Sequence, residues 1–158
     1  MRKFIAAFGL TIMACGGGGG GGGEAQAVLA AGVAGSAAAI SSSAGEATIH
    51  EVKMLLTDAG EYRYVPDELT IKAGDTVRWI NVGGGPHNVQ FKPGTVPDGA
   101  QAVLNAAMAN RIGDMNGQLL MAPNAVYEID FTGAPVGEYP YVCTPHEMLG
   151  MVAALTIE

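Results

Sequence analysis

Apolar and polar residues alternate along several short segments of the chain after residue 45. In the segment 127–131 the three apolar side chains fall on one face of an extended strand and the two acids fall on the other. A period of two is typical of half-buried β-strands. The same pattern or apolar content predicts further strands at 48–57, 68–72, 75–82, 87–91, 138–142 and 152–157. Glycine- and proline-containing turns separate these segments, which predicts an all-β, antiparallel sandwich.

One segment has helical spacing instead. From Ala100 to Met108 the apolar residues recur three and four positions apart, as on one face of an α-helix. Asp98 can cap the start of this helix, and Gly113 is a plausible end. We therefore expect one short helix on the long connection 92–125.

The N-terminal residues resemble an export signal. Arg2 and Lys3 precede a short apolar run that ends at Cys15, as in a secretory signal peptide. The run is too short to span a bilayer by itself. Residues 12–15 resemble a bacterial lipoprotein signal box, so we expect a lipidated Cys15. The alternative is a plain signal peptide with an incidental cysteine.

The next segment, 16–45, consists mainly of glycine, alanine and serine. Glycine loses the most backbone entropy on ordering, and few large side chains here could offset that loss. We therefore expect a flexible linker, within which the alanine-rich stretch 25–40 favours a transient helix. Residues 46–158 then form a single folded domain of ordinary size.

Charge and cysteine content narrow the possible functions. The 158 residues carry 8 Lys and Arg against 15 Asp and Glu, a formal net charge of −7. This acidic balance argues against nucleic-acid binding, which requires a basic surface, and it favours neutral or basic docking partners. Cys15 and Cys143 lie in such different contexts that a disulfide between them is not expected.

Three metal-ligand residue types lie close together near residue 150. Cys143 follows a predicted strand, His146 comes three residues later, and Met151 lies five residues beyond that. A strand end is rigid, and a turning loop can bring all three side chains to one point. Pro145 and Gly150 are suited to that turn.

His87 supplies a second imidazole. One Cys, two His and a weak axial Met form the ligand set of a blue-copper site, whereas zinc prefers four strong ligands and binds thioethers poorly. Met148 competes with Met151 for the axial position, but only Met151 leaves the loop room to complete its turn. His50 begins the first predicted strand, and we interpret it as structural.

Residues next to the ligands can support them. Asn88 and Thr144 each follow a proposed ligand, and hydrogen bonding between their side chains would tie the two ligand segments together. The Asn88 N–H can donate to the Cys143 sulfur, whereas Pro145 has no N–H to offer. Fewer hydrogen bonds to sulfur favour Cu(II) and lower the reduction potential.

Residues 60–158 resemble the plastocyanin/azurin family of cupredoxins and are most similar to plastocyanins and pseudoazurins. The resemblance is carried by the segment 64–81, by Pro86-His87-Asn88-Val89, and by Cys143-Thr144-Pro145-His146 with Met151. It implies an eight-stranded Greek-key sandwich and a soluble one-electron carrier. It also implies electron exchange at the edge of His146, under an apolar patch. An acidic patch of the plastocyanin type is not evident in 105–121.

These observations favour a monomeric, lipid-tethered electron carrier that holds one copper ion. It would dock transiently to protein donors and acceptors on the exported, periplasmic or cell-surface side of a bacterial membrane. Pro86, Met148 and Leu149 are candidates for the docking surface. A copper-delivery protein is the main alternative, although delivery needs exposed, exchangeable ligands. A multinuclear copper enzyme requires more than the three histidines present, and a purely structural sandwich is the remaining possibility.

Overall fold

The computed structural model describes residues 46–158. These residues form β1 (Ile49–Leu56), β2 (Tyr62–Val65), β3 (Glu68–Ile71), β4 (Thr76–Asn81), β5 (Gln90–Phe91), α1 (Ala100–Ala107), β6 (Val126–Asp130), β7 (Gly137–Val142), a 3₁₀ helix (Thr144–Leu149) and β8 (Val152–Ile157). The strands make two four-stranded sheets, ordered β2-β1-β4-β6 and β3-β8-β7-β5. The predicted all-β sandwich with one short helix is confirmed.

Alternation along the strands builds the core between the sheets. β1 buries Val52 and Met54 while Lys53 between them faces solvent. β4 buries Val77 and Trp79 in the same way. Fully burying one such side chain stabilises the fold by about 1.5–3 kcal/mol. A one-residue slip would turn these side chains outward, so their burial fixes the register of the strands.

The expectation of an antiparallel sandwich is confirmed for most strand pairs but is wrong for two of them. β1 pairs with β4 in parallel, and β3 pairs with β8 in parallel, while the other four strand pairs of residues 46–158 are antiparallel. The chain crosses between the two sheets five times. Parallel neighbours need such crossover connections, whereas a hairpin joins only antiparallel ones. Turn chemistry alone does not distinguish the two cases.

The strand expected at 87–91 is much shorter than predicted. Only Gln90–Phe91 is a strand, and His87 instead makes an isolated antiparallel pair with Leu120. The Leu120 N–H donates to the His87 carbonyl at 2.8 Å, and the return bond measures 3.3 Å. The partner therefore comes from the long connection before β6. Conversely, β2 is a strand that the pattern did not single out.

The helix on the connection 92–125 is present, but both predicted ends are wrong. It begins at Ala100 after Gly99, which has a left-handed φ of 84°, and no side chain caps it. Asp98 is thus not the cap. The helix ends before Met108, whose N–H donates to the Leu104 carbonyl. At Met108 the backbone becomes extended and the side chain is buried in the core.

The predictions for the signal segment 1–15, lipidated Cys15 and the linker 16–45 lie outside the described residues. Within 46–158, none of the helices has the length and apolar character needed to cross a membrane.

Candidate metal centre

Three of the predicted ligands come together in the fold. His87 lies between the glycine-rich loop after β4 and the start of β5, Cys143 directly follows β7, and His146 lies in the 3₁₀ helix. Their potential ligand atoms all lie within 4.8 Å of one another, and all three side chains are buried. Residues 56 positions apart in sequence thus form one cluster.

Both imidazoles turn the same nitrogen toward the cysteine. The Sγ atom of Cys143 lies 3.6 Å from Nδ1 of His87 and 3.4 Å from Nδ1 of His146. The two rings are 4.8 Å apart between centroids and tilted by 59°. Sulfur and two nitrogens therefore converge on one small volume, which is the arrangement that a three-ligand metal site requires.

The orientation of His87 is fixed from behind. Its Nε2 lies 3.1 Å from the Gly83 carbonyl. A carbonyl can only accept, so Nε2 carries the hydrogen and Nδ1 keeps its lone pair toward Cys143. The position after Gly83 must also be glycine, because Gly84 has a φ of +99° and a Cβ there would lie 2.6 Å from Cβ of Leu56.

The ligand loop closes on itself through backbone hydrogen bonds. The His146 N–H donates to the Cys143 carbonyl at 2.9 Å. The Met151 N–H donates to the His146 carbonyl, and the Met151 carbonyl accepts from the Cys143 N–H, both at 3.1 Å. The Met151 side chain is fully buried, whereas Met148 is 95% exposed. This placement favours Met151 over Met148 as the axial ligand, and that role stays a prediction.

Asn88 ties the two ligand segments together, and the predicted bonding to Thr144 is present. Its Oδ1 accepts from the Thr144 N–H at 2.8 Å, and its Nδ2 donates to the Thr144 hydroxyl at 3.0 Å. The same Nδ2 also reaches the Asn116 side chain at 2.8 Å and the Gly117 carbonyl at 3.3 Å. Asn116 and Gly117 were not expected from the sequence.

Burial sets the protonation of the three candidate ligands. It lowers the pKa of His87, with the Gly83 hydrogen bond opposing it, and it lowers the pKa of His146, with His87 adding to the effect. Burial also raises the pKa of the Cys143 thiol, against hydrogen bonding from the Asn88 and His146 backbones and the Tyr64 hydroxyl. The metal-free site therefore holds neutral imidazoles and a thiol, and binding a cation releases the thiol proton.

Pro145 is not the only residue of the ligand loop whose backbone bears on the Cys143 sulfur. Pro145 lies in the first turn of the 3₁₀ helix, as its missing N–H allows. The backbone of His146, one residue later, nevertheless favours the Cys143 thiolate together with that of Asn88. The His146 backbone can therefore influence the sulfur although Pro145 has no N–H to donate.

His50 is not part of the cluster. Its Nε2 contacts Asp75 Oδ2 at 2.9 Å. Asp75 also accepts hydrogen bonds from the N–H groups of Thr48 and Lys72, so this group ties the start of β1 to the turn before β4. The structural interpretation of His50 is supported.

Several apolar side chains that neighbour the cluster residues, in sequence or through backbone pairing, reach the surface. Met148 and Leu149 are exposed, and Pro86 is half-buried. Leu119 and Met121 are also exposed on either side of Leu120, the backbone partner of His87. The sequence offered no signal for these two, because the pairing that brings them to His87 is not local.

Tyr62 is a further residue of the site that was not expected from the sequence. Its ring stacks on His146 with centroids 3.8 Å apart and planes 8° from parallel. Tyr62 and Tyr64 alternate with Arg63 and Val65 along β2. That period-two pattern could have placed both tyrosine rings on the inner face.

The donor set fits copper. A soft thiolate with two imidazole nitrogens suits copper or zinc. The thioether of Met151, which is buried at the end of the same loop, suits copper better. The two four-stranded sheets and this cluster define a protein of the cupredoxin class.

Comparisons with known proteins agree. Residues 50–158 match the model of the copper binding proteins of the plastocyanin/azurin family. Plastocyanin from Synechococcus sp. (strain JA-2-3B'a(2-13)) is 40% identical over 116 residues, which cover 73% of this chain and 78% of the relative. Plastocyanin from Scenedesmus fuscus is 38% identical over 101 residues, or 64% of this chain and 92% of the relative.

A solved structure supports the same assignment. Oxidised plastocyanin from Dryopteris crassirhizoma superposes with a TM-score of 0.54 at 27% identity, over 68% of this chain and 99% of that one. The chain belongs to the plastocyanin/azurin family of copper-binding proteins.

Proposed function

We propose that the domain 46–158 is a one-electron carrier with a single type 1 copper site. His87, Cys143 and His146 would hold the metal, and the Met151 thioether would be a fourth, weaker ligand. The observation that carries this proposal is the convergence of Cys143 Sγ and both Nδ1 atoms inside a buried cluster. When bound, copper supplies a Cu(I)/Cu(II) couple. The relatives of this protein include proteins named plastocyanin.

The chain contributes a pre-formed and rigid ligand cage. His87 is held by Gly83, and the ligand loop is closed by the backbone bonds of Cys143, His146 and Met151. A cage that hardly moves between oxidation states lowers the cost of electron transfer. This rigidity supports a carrier that accepts and passes on electrons rather than an enzyme that transforms a substrate.

Electrons enter and leave at His146. This side chain is 7% exposed, whereas His87 and Cys143 are fully buried. Met148, Leu149 and Pro86 form the apolar docking surface beside it, which suits brief contacts with protein donors and acceptors. Glu147, next to His146, is already paired with Lys92. We therefore expect docking of a monomer through apolar contacts more than through charge.

The N-terminal segment places the carrier at a membrane. Residues 1–15 act as a lipoprotein-type signal with a lipidated Cys15, and residues 16–45 act as a linker. A flexible chain of this length has a root-mean-square reach of roughly 30 Å. The domain then works on the exported side of a bacterial membrane, periplasmic or at the cell surface. The signal-like sequence before Cys15 supports this part of the proposal.

Copper delivery is the competing function. A delivery site must give up its metal readily, whereas Cys143 is fully buried behind the ligand loop. Redox titration of the copper-loaded protein, combined with a mild chelator, separates the two functions. We expect a reversible Cu(II)/Cu(I) couple and slow copper loss. An irreversible couple, or copper loss within the mixing time, would exclude the carrier and favour delivery.

A further inference from the structure

We infer that Tyr62 is a positioning residue that holds the His146 ring in its metal-binding orientation. Its aromatic face does for His146 what the Gly83 carbonyl does for His87. The inference rests on the proposed function, because it takes His146 as a copper ligand.

The two histidines differ in how their rings are held. His87 has a hydrogen bond behind the ring, from Nε2 to Gly83. Among the described residues, the only side-chain polar contact of His146 is the one between Nδ1 and Cys143. Its backbone is fixed by the 3₁₀ helix, but ring rotation about the side-chain bonds is not restricted by any hydrogen bond to Nε2. Something else must limit that rotation if the site is to be rigid.

Tyr62 supplies that restriction. The near-parallel stack at 3.8 Å and 8° is the closest aromatic contact of the described domain, where the pairs among Tyr, Phe and Trp are tilted or edge-on at 4.8–6.5 Å. Tyr62 also meets His87 edge-on, at 6.1 Å and 64°. One ring therefore contacts both imidazoles.

The fold anchors Tyr62 well enough for this role. Tyr62 begins β2 and pairs with Leu56 at the end of β1, so its backbone belongs to the first sheet. His146 follows β7, a strand of the second sheet. The stack thus links the ligand loop to the opposite sheet. It adds to the hydrogen bonds that join Asn88 to Thr144.

The ring, rather than the hydroxyl, carries the effect. Within the described residues, the Tyr62 hydroxyl has no hydrogen-bond partner, unlike the hydroxyls of Tyr64, Tyr127 and Tyr139. Phenylalanine should therefore replace it, whereas leucine keeps the apolar volume and loses the stack. Aromatic pairing energies correspond to roughly a two- to tenfold change in an equilibrium or rate constant.

Copper loss to a chelator tests the inference in Tyr62→Leu and Tyr62→Phe. We expect loss from Tyr62→Leu to be about two- to tenfold faster than from the wild type, with Tyr62→Phe unchanged. Val65→Ala, on the outward face of the same strand, controls for a weakened β2 and should lose copper at the wild-type rate. Equal rates for Tyr62→Leu and the wild type would overturn the inference, as would equally fast loss from Val65→Ala.

A second measurement needs neither copper nor a variant. In the metal-free wild type, NMR should show nuclear Overhauser contacts between the Tyr62 and His146 rings and ring-current shifts of the His146 ring protons. Their absence would overturn the inference even if Tyr62→Leu fails to fold. If these contacts are seen but the copper-loaded wild type has no blue band, the proposed function fails while the stack stands.

Discussion

Replacing Asn88 with alanine should destabilise the metal-free protein by about 2–4 kcal/mol, since each lost hydrogen bond contributes about 0.5–1.5 kcal/mol net. The side chain is 1% exposed; its Oδ1 accepts from the Thr144 N–H, and the two hydrogens of its Nδ2 are shared among the Thr144 hydroxyl, the Asn116 side chain and the Gly117 carbonyl. The expected loss in the free energy of unfolding is smaller than the sum over these hydrogen bonds, because Thr144 is exposed and water can replace part of its bonding. The buried Gly117 carbonyl has no such substitute.

Urea unfolding of the copper-free protein at neutral pH measures this effect. The matched control is Gln101→Ala, which removes an amide from the exposed surface of α1 and should change the free energy of unfolding by less than about 0.5 kcal/mol. Asn88→Ala should also weaken copper binding, because the ligand segments are no longer tied. A loss below about 1 kcal/mol, within the cost of a single net hydrogen bond, would refute the view that Asn88 joins them.

Three further predictions concern acid stability, reduction potential and docking. Hydrogen bonds from the Lys72 and Thr48 backbones and from His50 lower the pKa of Asp75 from 3.8 to about 2. Its stabilisation of about 2 kcal/mol is therefore complete above the unfolded value and lost as the pH falls from about 4 to about 2. Asp75→Asn should flatten that part of the stability profile in urea titrations; an unchanged slope would contradict the assignment. Pro145→Ala restores a backbone N–H next to His146, whose own backbone favours the Cys143 thiolate, and should raise the reduction potential in voltammetry, whereas no rise would remove Pro145 as a determinant. Met148→Glu should slow electron self-exchange by about an order of magnitude at low salt, recovering at high salt, with the visible spectrum unchanged; an unaffected rate would place docking elsewhere.

The sequence predicts the local half of the site well. Cys143 and His146 lie on one short loop, so their spacing alone brings them near each other, and His87 follows from the need for a second imidazole. The hydrogen bonds of Asn88 and Thr144 could be anticipated because each is next to a ligand. Strand alternation likewise predicts which side chains face the core.

Non-local pairing limits the rest. Leu119 and Met121 approach His87 only because Leu120 pairs with it, and Tyr62 reaches His146 only because opposite sheets face each other. The two parallel strand pairs likewise depend on how the chain crosses between sheets. The helix begins after Gly99, not after Asp98, because a left-handed residue set its start. The alternation along β2 indicates that Tyr62 faces inward, but no period or motif in the sequence identifies its partner or predicts the other features.

The central claim, that Cys143 binds copper as a thiolate beside two imidazoles, is tested most directly by a visible absorption spectrum. The copper(II)-loaded protein should show an intense blue thiolate-to-copper band, and Cys143→Ala should lack it while still folding. A wild-type protein without the band, or a Cys143→Ala variant that retains it, would contradict the account.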